Sequence, residues 1–296
     1  YLDAIARPWA SAFLSIIPVV FVVPLNWLLI YGNWGAPKLG LVGAGAATLL
    51  AQTLGVVIMW LYTATSTSPD GSQKRWRIDF RRFVRLGLPM SLQYLAESSA
   101  IGVIGLLVGL LGSTALAANQ VALSLGELLY MIPLGVAGAV GILIAQAVGE
   151  NSREQVRAIG LASFGLVAMI TLPLAAIMAI YNNSIARAFV EDREVVALLS
   201  GLLLTMAGVQ VFDGLQTVAL GALRGLLDNR WPTVTALISY WLVAVPFSVL
   251  LGFGLNLGAA GIWMGFGLGV ALASLTLVTR FILQSGRPEL PVGSAD

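Results

Sequence analysis

Apolar positions in this chain gather in long unbroken runs, and polar positions collect in the short stretches between them. A helix needs about 20 mainly apolar residues to cross the roughly 30 Å hydrocarbon core of a bilayer, since each residue advances it by about 1.5 Å. Eight runs reach that length, over 9–31, 40–63, 86–112, 118–148, 158–181, 196–221, 232–255 and 259–282. Between the fifth and sixth, residues 182–194 carry Phe189 and the acidic cluster Glu191, Asp192 and Glu194, the pattern of an outer loop or short interfacial helix. The fold class expected is an all-α, polytopic membrane bundle. Composition points the same way: only 10% of the residues are charged, against about 25% in ordinary soluble domains.

Alternating the spans places the N-terminal stub, the 64–85, 149–157 and 222–231 loops and the C-terminal tail on one face. That face holds thirteen of the sixteen basic residues, among them Arg153, Arg157, Arg224, Arg230 and Arg280, whereas Lys38, Arg187 and Arg193 fall on the other. The positive-inside rule makes the crowded face cytoplasmic, C-terminus included, in a cell membrane. The net charge of +2 is too small, and its basic residues too interleaved with apolar runs, to imply a nucleic-acid partner.

The first two spans look like a second copy of the last two. Arg7, Pro24 and Gly32 recur as Arg230, Pro246 and Gly254, and Leu39 to Gly43 opens the following helix as Leu257 to Gly261 does, at an offset of about 220 residues. Parallel repeats of this kind build transporters with a site between their halves. Four helices precede the later copy and none the earlier, and the chain begins at Tyr1, so four further helices are expected upstream and twelve in all. The expected organisation is the last two helices of an N-terminal lobe over 1–63, a basic cytoplasmic linker over 64–85, a six-helix C-terminal lobe over 86–284, and a tail over 285–296.

Three carboxylates fall at membrane depth: Glu97, Glu127 and Asp213. Each costs about 2.5–3.5 kcal/mol to place near the bilayer centre. No lysine or arginine falls deep in a predicted span, so a structural ion pair is not expected to offset that cost. A proton, a metal cation or a cationic ligand would offset it. Residues three or four apart share a helix face. Gln93 stands with Glu97; Gln120 and Ser124 with Glu127 and Met131; Gln210, Gln216 and Thr217 with Asp213. Three polar stripes in one bundle predict a hydrated cavity, the alternative being a hydrogen-bond network used only for packing. Tyr94, Tyr130, Phe212 and Tyr240 are aromatic candidates for stacking on a cation. Prolines 18, 24, 89, 133, 173 and 246 fall inside spans, where each permits a kink. Gly261, Gly265 and Gly269, and likewise Gly105 and Gly109, are spaced for close helix packing.

With no histidine and no cysteine, most enzyme chemistries lack their usual base, nucleophile or metal ligand. A membrane enzyme would have to work on carboxylates alone.

The segments Gly87 to Met90, Ala117 to Ser124, Tyr130 to Gly135, Phe212 to Gln216 and Gly221 to Gly225 resemble, in order, those of the multidrug and toxic compound extrusion (MATE) family. The resemblance covers nearly the whole chain. It implies two six-helix lobes and a central cavity that exports organic cations or other amphipathic drugs in exchange for Na+ or H+, with no cofactor. The lipid bilayer and a small molecule are then the partners, and the protein works as a monomer. Glu97 and Asp213 match the acidic pair of the C-terminal lobe in the sodium-coupled bacterial branch, a candidate Na+ site, and Glu127 resembles a glutamate found in other members. Asn26 matches a position of the N-terminal-lobe cation site and Thr48 a further one, while Val22 stands where that site carries an asparagine. The nearest rival is a flippase for lipid-linked oligosaccharide or cell-wall precursors in the same superfamily, whose anionic cargo calls for a basic cavity. A fragment that does not transport is the third reading.

Overall fold

The computed structural model describes residues 8–35, 37–66 and 80–286, and the chain divides into two compact units, one on each side of Arg77 and Ile78. Eight helices in it are long and apolar enough to cross a membrane, one for each predicted run. The chain is a multi-pass membrane protein. Much of the 64–85 linker and most of the 285–296 tail lie outside the described residues.

The first unit is a helical hairpin. Its helices α1 (Pro8–Tyr31) and α2 (Gly40–Ser66) are joined through a short 3₁₀ turn at Asn33–Gly35. The turn is held by Leu39 N–H donating to the Leu29 carbonyl at 3.0 Å and by Trp34 set edge-on to Trp27 at 5.8 Å. Gly43 faces the Leu29 carbonyl and Gly55 faces the Pro18 ring so closely that neither position has room for a Cβ.

The second unit holds the other six spans: α3 (Phe80–Gly109), α4 (Ser113–Gly149), α5 (Arg153–Ile180), α7 (Arg193–Gly225), α8 (Arg230–Gly254) and α9 (Gly258–Ser285). A short helix α6 (Asn182–Phe189) occupies the segment read from sequence as an outer loop or interfacial helix. Asp192 caps the start of α7, its Oδ1 accepting from Glu194 N–H at 2.8 Å, which closes a backbone donor the helix itself leaves open.

Helix α7 runs through the middle of this unit, with α4, α5 and α9 packed around it. Lipid is as apolar as leucine, so helices here associate by close packing rather than by escape from water. The α4–α7 seam shows it: a Cβ at Gly225 would lie 2.8 Å from the Gly141 carbonyl oxygen, and one at Gly221 would collide with the Ala137 backbone. Along α9 the predicted glycine spacing works in the same way. A Cβ at Gly261 would lie 2.6 Å from the Leu251 carbonyl oxygen, and one at Gly265 or Gly269 would collide with the Ser248 backbone or the Ser239 carbonyl. Gly105 and Gly109 do not pack as expected, since nothing lies within 4 Å of a Cβ at Gly105 and only Leu116, at 3.9 Å, near one at Gly109.

Helix α8 departs from regular α geometry. Wider π turns over Leu237–Ala244 and Leu250–Gly254 flank Pro246, a pattern that accommodates a residue with no N–H to donate. The loop between α7 and α8 is pinned to α9: the Asp228 carboxylate receives Arg280 Nε at 3.0 Å and Gln284 Nε2 at 2.6 Å, and the Arg280 guanidinium lies 5.0 Å from the centre of the Trp231 ring.

Two boundaries differ from the sequence reading in a way that matters for the site. Helix α4 starts at Ser113 rather than 118, and α7 continues to Gly225 rather than ending at 221. The second difference moves Arg224 out of the predicted loop and into the last turn of α7, because Gly221 and Gly225 are held in the seam against α4 and carry the helix on.

The seam gives a stability prediction. Gly221→Ala and Gly265→Ala each insert a methyl where backbone already sits, and each is expected to destabilise the protein by about 1–3 kcal/mol. Gly105→Ala is expected to change stability by less than about 0.5 kcal/mol. Thermal unfolding of the detergent-solubilised variants distinguishes the two outcomes.

Candidate functional site

At about 100° per residue, positions 210, 213, 217, 220 and 224 of α7 make one stripe. That stripe is the wall of a cavity of about 280 Å³. Helix α3 faces it with Gln93, Tyr94, Glu97 and Ser98, α4 with Glu127 and Tyr130, and α9 with Trp263 and Phe266. The three carboxylates predicted from sequence therefore share one space, with Gln93, Gln210 and Thr217 beside them.

Glu97 sits in a chain of hydrogen-bonding groups. On one side the Tyr240 hydroxyl, from α8, reaches its carboxylate. That hydroxyl in turn accepts from Gln216 Nε2 at 2.6 Å, leaving its own proton for Glu97. On the other side Gln93, one turn earlier on α3, is within hydrogen-bonding reach of Glu97. Its Oε1 accepts from Arg224 Nη2 at 3.2 Å. The Arg224–Gln93 and Gln216–Tyr240 hydrogen bonds thus flank Glu97 and tie α7 to α3 and to α8 through side chains.

Aromatic packing fixes the back of the cavity. Tyr240 stacks on Phe266 with ring centres 5.9 Å apart, and Phe266 meets Trp263 edge-on at 5.4 Å. The Trp263 indole N–H donates to the buried Asn119 Oδ1 at 2.8 Å, so α9 is held to α4 at the level of the site. Across the cavity Tyr130 of α4 and Thr217 of α7 both line the wall.

Several expectations need correction. Arg224, in the last turn of α7, lines the cavity, so a basic group placed in a loop by the sequence reading shares the carboxylates' space, although it forms no ion pair with them. Gln216 is buried but lies behind the wall. It occupies the flank of Asp213 opposite Gln210 and Thr217, and so faces Tyr240. Gln120 is exposed and lines nothing in the cavity, and Ser124 bonds back to the Gln120 carbonyl at 3.0 Å. Glu127 stands at the edge of the cavity face of α4, with Tyr130 and Leu134 on one flank and Gln120, Ser124 and Met131 on the other. Spacing alone does not distinguish those flanks.

In the first unit, the Asn26 Oδ1 is buried with no hydrogen-bonding partner among the described residues. Thr48 is exposed, its hydroxyl bonding back to the Ala44 carbonyl at 2.9 Å. The Asn26 carbonyl is an unpaired acceptor; Thr48 has spent its proton within its own helix.

Among the described residues no group of three or more acidic side chains is close enough to hold one metal ion together. An ion bound at Glu97 or Asp213 would take its remaining ligands from neutral oxygens or water, an arrangement suited to a proton or a weakly held hard cation.

The sequence reading missed Arg224 as a member of the site and gave no structural partner for Tyr240. The signal for the first was present: Arg224 continues the three-and-four spacing from Asp213 through Thr217 and Leu220.

The model of the MatE family matches residues 89–250, which takes in Glu97, Glu127, Asp213, Arg224 and Tyr240. A probable multidrug resistance protein NorM of Bradyrhizobium diazoefficiens is 36% identical over 299 residues, covering 97% of this chain and 64% of its own. A second protein of that description, from Mesorhizobium japonicum, is 32% identical over 297 residues, covering 95% and 63%. The chain therefore spans less than two thirds of these relatives' length. Among solved structures, a MATE protein in its straight conformation superposes with a TM-score of 0.85 at 20% identity, covering 96% of this chain and 64% of that one. The fold, the family match across more than half of the residues and the curated relatives agree: the chain belongs to the MatE family.

Proposed function

We propose that the protein is a secondary active exporter of organic cations and related amphipathic xenobiotics, driven by the inward movement of Na+ or H+. The observation that carries this reading is the meeting of Glu97, Asp213 and Glu127 in one aromatic-walled cavity, where three carboxylates face a single guanidinium. An uncompensated charge in a membrane is costly, and a bound cation relieves it. The relatives' description as multidrug resistance proteins supports the same cargo.

In this account the coupling ion and the drug draw on the same carboxylates. Binding of one lowers affinity for the other, and that reciprocal penalty is what couples an ion gradient to export. Glu97 and Asp213 hold the ion, Glu127 adds negative charge at the edge, and Trp263, Phe266 and Tyr130 supply the apolar surface for a planar cation. We assign residues 86–284 to one six-helix lobe and 1–63 to the end of another, with the basic face in the cytoplasm, Asn26 contributing to a second cation site, and the protein acting as a monomer. An anionic pyrophosphate cargo would meet an acid-lined wall, which disfavours the flippase reading.

Two predictions follow from this arrangement. In proteoliposomes carrying the full-length protein, with sodium and pH gradients imposed separately, Glu97→Gln and Asp213→Asn are each expected to cut gradient-driven ethidium export roughly tenfold or more, one decade being about 1.4 kcal/mol. Undiminished export would return both carboxylates to a structural role and reopen the flippase reading. Tyr240→Phe removes a donor from Glu97 and an acceptor from Gln216. It is expected to lower stability by about 1–3 kcal/mol through the stranded amide, and Gln216→Leu placed in the same protein is expected to restore part of the loss in a double-mutant cycle.

A further inference from the structure

Arg224 is an unusual member of the cavity. Its Nη2 is engaged by Gln93, its Nε is buried with no hydrogen-bonding partner, and it makes no ion pair, the single ion pair among the described residues being Arg280–Asp228. A guanidinium facing a space with three carboxylates would ordinarily close on one of them. Here Gln93 stands between: its carbonyl accepts from Arg224, which leaves its amide N–H₂ for Glu97. The backbone that carries the arginine is held in place, because Gly221 and Gly225 on either side of it pack against Ala137 and Gly141 of α4.

We infer that Arg224 is a built-in counter-cation, held one residue away from Glu97 by Gln93, and that this spacing sets how tightly the cavity holds its coupling ion. The inference rests on the reading of Glu97 as an ion-binding carboxylate. Arg224 acts on the ion through Gln93 and through its charge, and is a positioning residue. The groups that face Glu97 are Gln93 on its own helix, Glu127 and Tyr130 from α4, Asp213 and Arg224 from α7, and Tyr240 from α8. Of these Arg224 alone is positive. Removing it takes away the one positive charge among the described residues lining the cavity, whereas removing Gln93 lets the guanidinium pair directly with Glu97 and compete with an entering cation.

The two changes therefore shift ion affinity in opposite directions, which a loss of packing would not do. In proteoliposomes of the full-length protein, ethidium export is measured against the concentration of whichever ion drives it, Na+ or H+, and the ion's binding is read separately from its effect on the melting temperature of the purified protein. Arg224→Gln is expected to lower the half-saturating ion concentration by about fivefold or more and to reduce the maximal rate, because a tighter ion leaves more slowly. Arg224→Lys keeps the charge and is expected to stay near the wild-type value. Gln93→Leu is expected to raise the half-saturating concentration by about fivefold or more.

An Arg224→Gln protein with unchanged ion dependence would overturn the inference. So would a Gln93→Leu protein whose half-saturation stays the same or falls, and that second variant carries the test if Arg224→Gln does not fold. Glu97→Gln is run alongside. If it keeps wild-type ion dependence, the ion-site reading itself fails; if it loses ion dependence while Arg224→Gln and Gln93→Leu leave it alone, only the role given to Arg224 falls.

Discussion

The constraint on which this molecule depends is the cost of a charge where there is no water. A bilayer core leaves every backbone N–H and C=O to be satisfied within its own segment, which is why the chain is helical throughout its spans, and it makes each carboxylate at depth expensive. The helices answer the first demand within themselves, and glycine-lined seams then let α4, α7, α8 and α9 approach at backbone distance. The cavity answers the second, on the function proposed, by gathering the carboxylates around one space where a cation offsets their charge. Seam and cavity are two sides of one helix: on α7, Gly221 and Gly225 face α4 while Thr217 and Arg224 face the cavity.

The bundle was readable from sequence because a membrane span needs only length and apolarity, and all eight predicted runs are helices of that kind. The carboxylate cluster was readable for the same reason in reverse, since Glu97, Glu127 and Asp213 interrupt runs that tolerate almost nothing polar. Side selection was less accessible. Helical spacing groups Gln216 with Asp213 and Gln120 with Glu127, yet the first faces α8 and the second is exposed. Which flank of a polar stripe turns inward depends on the neighbouring helix, and periodicity in one helix carries no information about its neighbour. Arg224 was lost to a boundary error of one turn, caused by reading an arginine near the end of an apolar run as the start of a loop.

The chemistry of the site follows from imbalance. A bundle that used its acidic residues for architecture would pair each with a base, as Asp228 is paired with Arg280 at the loop end of the same unit. Glu97 instead has a tyrosine and a glutamine, and the available guanidinium reaches only the glutamine. That geometry leaves Glu97 without a salt-bridge partner among the described residues, the arrangement the proposed function calls for in a site that takes and releases a cation.

On the function proposed, this cavity is open to water and occupied by cations through Asp213 and Glu97. These 296 residues contain no cysteine, so, with any cysteine outside them replaced, a single one at Ser98, which lines the cavity beside Glu97, can report on it. The most direct measurement is the rate at which a membrane-impermeant maleimide labels Ser98→Cys in the full-length protein, with and without ethidium or sodium, and again with Asp213→Asn added. The account predicts labelling that either cation slows, and loss of that protection when Asp213 is neutralised. A cysteine that is never labelled, or one labelled equally fast whatever cation is present, would contradict it.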